Sequence, residues 1–168
     1  MKRSWLLILL LSLALVGCKH APSTQPASSS SIKTVVTSKQ YTTSELESRY
    51  TKLVDAVVKP LDMASYSKPA AKVKAAAIAQ QTTVDDVRLQ LVANTSRQQE
   101  TKALVDLAKT AQTMLKTMTG TDQKAYNAAA KTFMSQTGTV AKQYFGGRVP
   151  QSLATYSKRM QQLAQSRQ

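Results

Sequence analysis

From Ser44 to Leu163 the apolar residues return mostly at steps of three and four, with interruptions around Gly and Pro and over the polar stretch from Asn94. That period matches the 3.6-residue turn of an α-helix and cannot serve a strand, whose faces alternate every two residues. No convincing strand pattern is present beyond residue 40. The expected fold is therefore all-α: an antiparallel bundle of four to five amphipathic helices joined by short turns.

The expected helices can be read one by one. Ser44-Glu45-Leu46-Glu47 fits a capping box, with Ser44 as the cap and Glu47 reaching back. Leu46, Tyr50, Leu53, Val54, Val57 and Val58 then form one apolar face, and Pro60 is expected to end or kink the helix near Lys59. A second, Ala-rich segment opens near Pro69, with Val73 and Ala77 turned inward, joined by Ile78 or Ala76. Thr82 or Thr83 offers a cap for the next helix, with Asp85 and Asp86 in its first turn near the positive end of the helix dipole; the alternative is a weak interruption of a longer helix. The stripe thins over Asn94–Lys102, so either one long helix runs over 84–118 or two helices meet there; the lack of Gly or Pro favours one. Gly120 stops it, and Thr121 or Asp122 starts another helix that carries Tyr126, Phe133, Val140 and Tyr144. Gly146-Gly147 ends that helix, and Pro150 opens a last one with Leu153, Tyr156 and Leu163.

The first residues obey a different rule. Lys2 and Arg3 precede the apolar run Trp5–Val16. The run is shorter than the roughly 20 residues a membrane-spanning helix needs, but it suits the hydrophobic region of an export signal. It closes on Leu15-Val16-Gly17-Cys18, which contains the single cysteine of the chain. These four residues resemble the lipobox of bacterial lipoproteins, and the resemblance covers only this N-terminal segment. It implies diacylglycerol on the Cys18 thiol, cleavage between Gly17 and Cys18, and a membrane-held mature chain facing outward. Lys19, in place of an aspartate, implies onward transfer to the outer membrane where the cell has one. Two acyl chains suffice for stable anchoring.

Three parts are thus expected: a signal peptide over 1–17, a lipid-bearing cysteine with a flexible tether over 18–43, and a helical bundle over 44–168. The tether is Ser, Thr and Pro-rich, with Pro22, Pro26 and a run from Ser28 to Ser31. As a coil of about 25 residues it reaches roughly 25–30 Å. Ile32, Val35 and Val36 could add a short extended piece.

The full chain carries 23 Lys and Arg against 9 Asp and Glu, a net charge of +14, and loss of Lys2 and Arg3 with the signal leaves it strongly basic. A charge of that sign favours anionic partners, such as lipid headgroups and wall or surface polymers. The basic residues look scattered, as on any solvated helical surface. With one cysteine there is no intramolecular disulfide, so stability falls to the core.

Chemistry-bearing constellations are sparse. The single histidine, His20, lies beside the anchor, which removes Ser–His and Cys–His nucleophile pairs and a histidine-based metal site. Neither a phosphate-binding loop nor a dinucleotide fingerprint occurs. Asp85-Asp86 is the best acidic pair, yet adjacent helical positions diverge by about 100°. No catalytic residue, metal or cofactor beyond the lipid is expected, and no nucleic-acid motif is visible. Two clusters are candidate interaction surfaces: the basic edge Lys68, Lys72 and Lys74, and Tyr144-Phe145-Gly146-Gly147-Arg148, which joins aromatics, a mobile backbone and a cation. The leading expectation is a membrane-tethered, non-enzymatic accessory protein that engages an envelope protein. Electrostatic binding of anionic polymers is the second, and a small-ligand or exclusion and immunity role is the third.

Overall fold

A computed structural model describes residues 38–166. The expected signal peptide, the expected cleavage position between Gly17 and Cys18, most of the expected tether and the expected Ile32–Val36 piece lie outside them. The described residues form five packed α-helices: α1 (Thr43–Ser65), α2 (Ala70–Val92), α3 (Gln98–Thr117), α4 (Gln123–Tyr144) and α5 (Gln151–Gln165). Helices α1 to α4 pack in succession across short turns and so run antiparallel; α1 also contacts α3 and α5. The order of α5 along α1 is parallel, since Ser152 bonds Asp55 and Arg159 pairs with Asp62.

The capping box of α1 sits two residues earlier than Ser44. Thr42 Oγ1 accepts from the Glu45 N–H at 3.2 Å, and the Glu45 carboxylate accepts from the Thr42 N–H at 2.8 Å. These hydrogen bonds to the ionised form hold the Glu45 carboxyl below the usual carboxylate range. Pro60 does not end the helix. It is buried inside α1, and Leu61 beyond it is buried too, so the apolar stripe carries the helix on to Ser65. Proline removes one N–H from the ladder, which packing here outweighs.

The expected long helix over 84–118 is two helices. Thr82 and Thr83 lie inside α2, which places Asp85 and Asp86 mid-helix instead of in a first turn. The break comes at 93–97 without Gly or Pro. Asn94 is 5% exposed and bonds away from the helix. Its Nδ2 donates to the Ser96 carbonyl at 2.8 Å and to Thr101 Oγ1 at 2.7 Å, while its Oδ1 accepts from the Tyr41 N–H at 3.0 Å. Arg97 then turns left-handed at φ 47° before α3 begins. Short polar side chains compete with the helix ladder for backbone groups, and here they win.

The same break takes up the chain ahead of α1. The Lys39 N–H donates to the Ala93 carbonyl at 3.2 Å, and the Thr95 N–H donates to the Lys39 carbonyl at 2.9 Å. This isolated bridge is parallel. Ser96 Oγ donates to the Tyr41 carbonyl at 2.9 Å, and the Arg49 guanidinium covers the buried Tyr41 ring at 3.5 Å. Residues 39–41 therefore belong to the bundle and not to the expected tether over 18–43.

The core runs along α1 and α3, where Leu46, Leu53, Val57, Leu104, Leu107 and Leu115 are fully enclosed. Burial of each such side chain is worth roughly 1.5–3 kcal/mol. In α2 the buried residues are Ala77, Val84, Val87 and Leu91; Val73 and Ala76 are half-buried and Ile78 is exposed. Asp122 caps α4 by accepting from the Ala125 N–H at 2.9 Å. Both Phe145 and Gly147 donate their N–H to the Ala141 carbonyl at 2.9 Å, with Gly146 left-handed at φ 61°, so the Gly pair closes α4.

Candidate interaction surfaces

Lys68, Lys72 and Lys74 are exposed around the α1–α2 turn and the start of α2. The chain reaches them through Ser67, left-handed at φ 53°. Exposed Tyr66 lies near them in sequence, under the guanidinium of Arg159 at 3.9 Å.

The second cluster is divided by the fold. Phe145 is buried and tilts against Tyr50, with ring centroids 5.0 Å apart. Tyr144 is half-buried. Arg148 is bound at both ends of its fork to the Glu47 carboxylate, at 3.0 and 2.9 Å. Gly146 and Gly147 remain exposed.

Glu47 is one of three α1 carboxylates that hold the C-terminal segment. Glu47 takes Arg148, Asp55 takes Ser152, and Asp62 takes Arg159. Arg159 also donates to Ser65 Oγ at 3.2 Å. Two basic residues that look free in the sequence, Arg159 and Arg148, are thus paired, 97 and 101 positions away from their partners.

Burial raises the phenol pKa of three tyrosines. Tyr50 is pushed up to about 12, and its hydroxyl donates to the Thr137 carbonyl at 3.3 Å. Tyr126 and Tyr156 are raised as well, Tyr156 also by the neighbouring Tyr126 and Asp62. Asp85 forms an exposed pair with Arg88 at 3.5 Å. Among the described residues no group of three or more His, Cys, Asp or Glu could hold a metal ion, and no helix is long and apolar enough to cross a membrane.

Helical register organises the lysines that look scattered along the sequence. Lys102, Lys109 and Lys116 are seven residues apart on α3, so they share one line along its outer side. Lys124, Lys131 and Lys142 do the same on α4, at steps of seven and eleven residues. All six are exposed, and among the described residues only Lys109 has an ion-pair partner, Asp106 at 2.9 Å. Asp122 is the last acidic residue of the chain, so nothing on α4 or α5 offsets their cations. The spacing of the lysines and the absence of acids after Asp122 are the sequence signals that a reading by local clusters passes over.

An open groove of about 400 Å³ lies between these two helices, lined by Lys109, Thr110, Thr113 and Thr117 of α3 and by Ala125, Ala128, Ala129 and Thr132 of α4. Ile78, Leu89 and Val92 on α2 are 52%, 59% and 62% exposed. No protein-family model matches the chain, and neither a curated protein nor a solved structure is significantly similar to it.

Proposed function

We propose that this chain is a lipid-anchored cell-envelope protein, non-enzymatic, which carries a helical bundle on the outer side of a membrane and binds another envelope component there. The observation that carries the reading is the order of residues at the N-terminus: Lys2 and Arg3, the apolar run Trp5–Val16, then Gly17 and the single cysteine Cys18. A thiol so placed serves as an attachment point, and two acyl chains hold a protein at a bilayer without a spanning helix. Anchoring keeps the bundle at high local concentration near other membrane-held components, so weak surface contacts suffice for binding.

The test is metabolic labelling with a clickable palmitate in a bacterial host, then detergent phase partition. The wild-type chain is expected to carry label and enter the detergent phase; Cys18→Ser is expected to lose the label and accumulate unprocessed. An unlabelled wild-type chain in the aqueous phase rules the anchor out. For the non-enzymatic part, Asp85→Asn and Asp86→Asn are expected to complement a deletion strain as wild type does; a deletion phenotype at normal protein level overturns it.

A further inference from the structure

The outer side of the α3–α4 pair carries six exposed lysines. One lysine row runs along each helix, over about 21 Å from Lys102 to Lys116 and about 27 Å from Lys124 to Lys142 at the usual helical rise. Both point away from the core, and Lys109 forms part of the groove wall between them. The groove floor is alanine and threonine. Glu100, Asp106 and the capping Asp122 are the acids nearest in sequence to the two rows; Glu100 is paired with Arg97, and Asp106 meets its lysine in an exposed pair that a competing anion can displace.

We propose that this groove is a docking site for an extended, base-free polyanion, a linear chain of repeating phosphate or carboxylate groups laid along the two helices. Charge complementarity selects the sign of the occupant, and the linear array selects its form. A string of anions can meet both rows along their length, whereas a compact anion can neutralise only one or two lysines. Lysine suits repeated, loosely positioned anions because it acts as a flexible point charge; the planar fork of arginine fixes one geometry. The arginines Arg148 and Arg159 are indeed committed to fixed internal pairs.

Two other anionic macromolecules fit less well. A helix that rests on a bilayer brings an apolar face to it. The exposed apolar residues Ile78, Leu89 and Val92 lie on α2 instead. Single-stranded nucleic acid is held by stacking of bases on aromatic rings, and no aromatic residue lines this groove. The identity of the envelope component rests on the proposed anchoring, but the charge and shape of the groove do not.

The test uses the full chain purified from a bacterial host, with long-chain polyphosphate and polyglutamate as probes and phosphatidylglycerol vesicles and oligo-dT in parallel. Affinity for at least one of the two polymers is expected to fall steeply with salt. A triple variant, Lys116→Gln with Lys124→Gln and Lys131→Gln, is expected to lose roughly fivefold in affinity per lysine, on the order of 100-fold in all. The matched variant Lys68→Gln with Lys72→Gln and Lys74→Gln removes the same charge elsewhere and is expected to lose less than a tenth of that. Preference for polyphosphate or for polyglutamate identifies the repeating group. An equal loss in both variants, or tighter binding of vesicles or oligo-dT than of either polymer, overturns the site. So does no binding of either polymer, an outcome that leaves the palmitate label on Cys18 untouched. Unchanged circular dichroism in both variants separates loss of binding from loss of fold.

Discussion

Asn94 joins three parts of the chain through one side chain: Tyr41 ahead of α1, Ser96 in the turn, and Thr101 in α3. Asn94, Tyr41 and Thr101 are each buried. Asn94→Ala leaves the Tyr41 N–H and the Thr101 hydroxyl without this partner and is expected to cost about 2–3 kcal/mol. Asn94→Asp keeps an acceptor for Tyr41 but loses the donor, and its stability should fall between wild type and the alanine variant. Urea unfolding checks both; an unchanged midpoint for the alanine variant would show that the turn holds without its amide. Little of this was legible in advance. Asn94-Thr95-Ser96 reads as a polar thinning of a helix, because its bonding partner, Tyr41, is 53 residues away.

The helices themselves were largely legible, since apolar spacing is a local property and the bundle realises it locally. The departures occur where distant contacts compete with local preference. Buried Leu61 carries α1 past Pro60, and Asn94 divides what periodicity alone reads as one helix. The apolar side of α5 was legible in Leu153 and Tyr156, but its polar contacts to α1 were not. Leu153 is its one buried residue, and the helix depends on Ser152–Asp55 and Arg159–Asp62, contacts nearly a hundred residues apart. A helix with few buried apolar contacts opens at low free energy. Amides of 155–166 are therefore expected to exchange with deuterium well before those of α1 and α3. Arg159→Gln should speed exchange in α5 further while α3 stays unchanged; a parallel loss of protection in α3 would mean that α5 is part of one cooperative core.

For the molecule as a whole, the three raised tyrosines set an alkaline limit. Unfolded tyrosines titrate near 10. In the fold Tyr50 stays protonated up to about 12, and Tyr126 and Tyr156 are raised too, so above pH 10 the folded state binds more protons than the unfolded. Their contribution is fully present below pH 10 and declines as pH rises, for Tyr50 until about 12. Melting temperature is expected to show no tyrosine-linked slope between pH 6 and 9 and to fall beyond 10. Tyr50→Phe should make that fall shallower; an identical slope would assign it to other groups.

The parallel bridge of Lys39 to the α2–α3 turn also decides how the bundle answers to force. A pull applied ahead of residue 39 does not act on the first turn of α1 alone. It is shared at once with Ala93 and Thr95 through the bridge, and with Ser96 and Asn94 through Tyr41. The strain spreads over α1, α2 and α3 together, so a tug that could unwind a single frayed helix end must instead shear several hydrogen bonds before the first turn gives way.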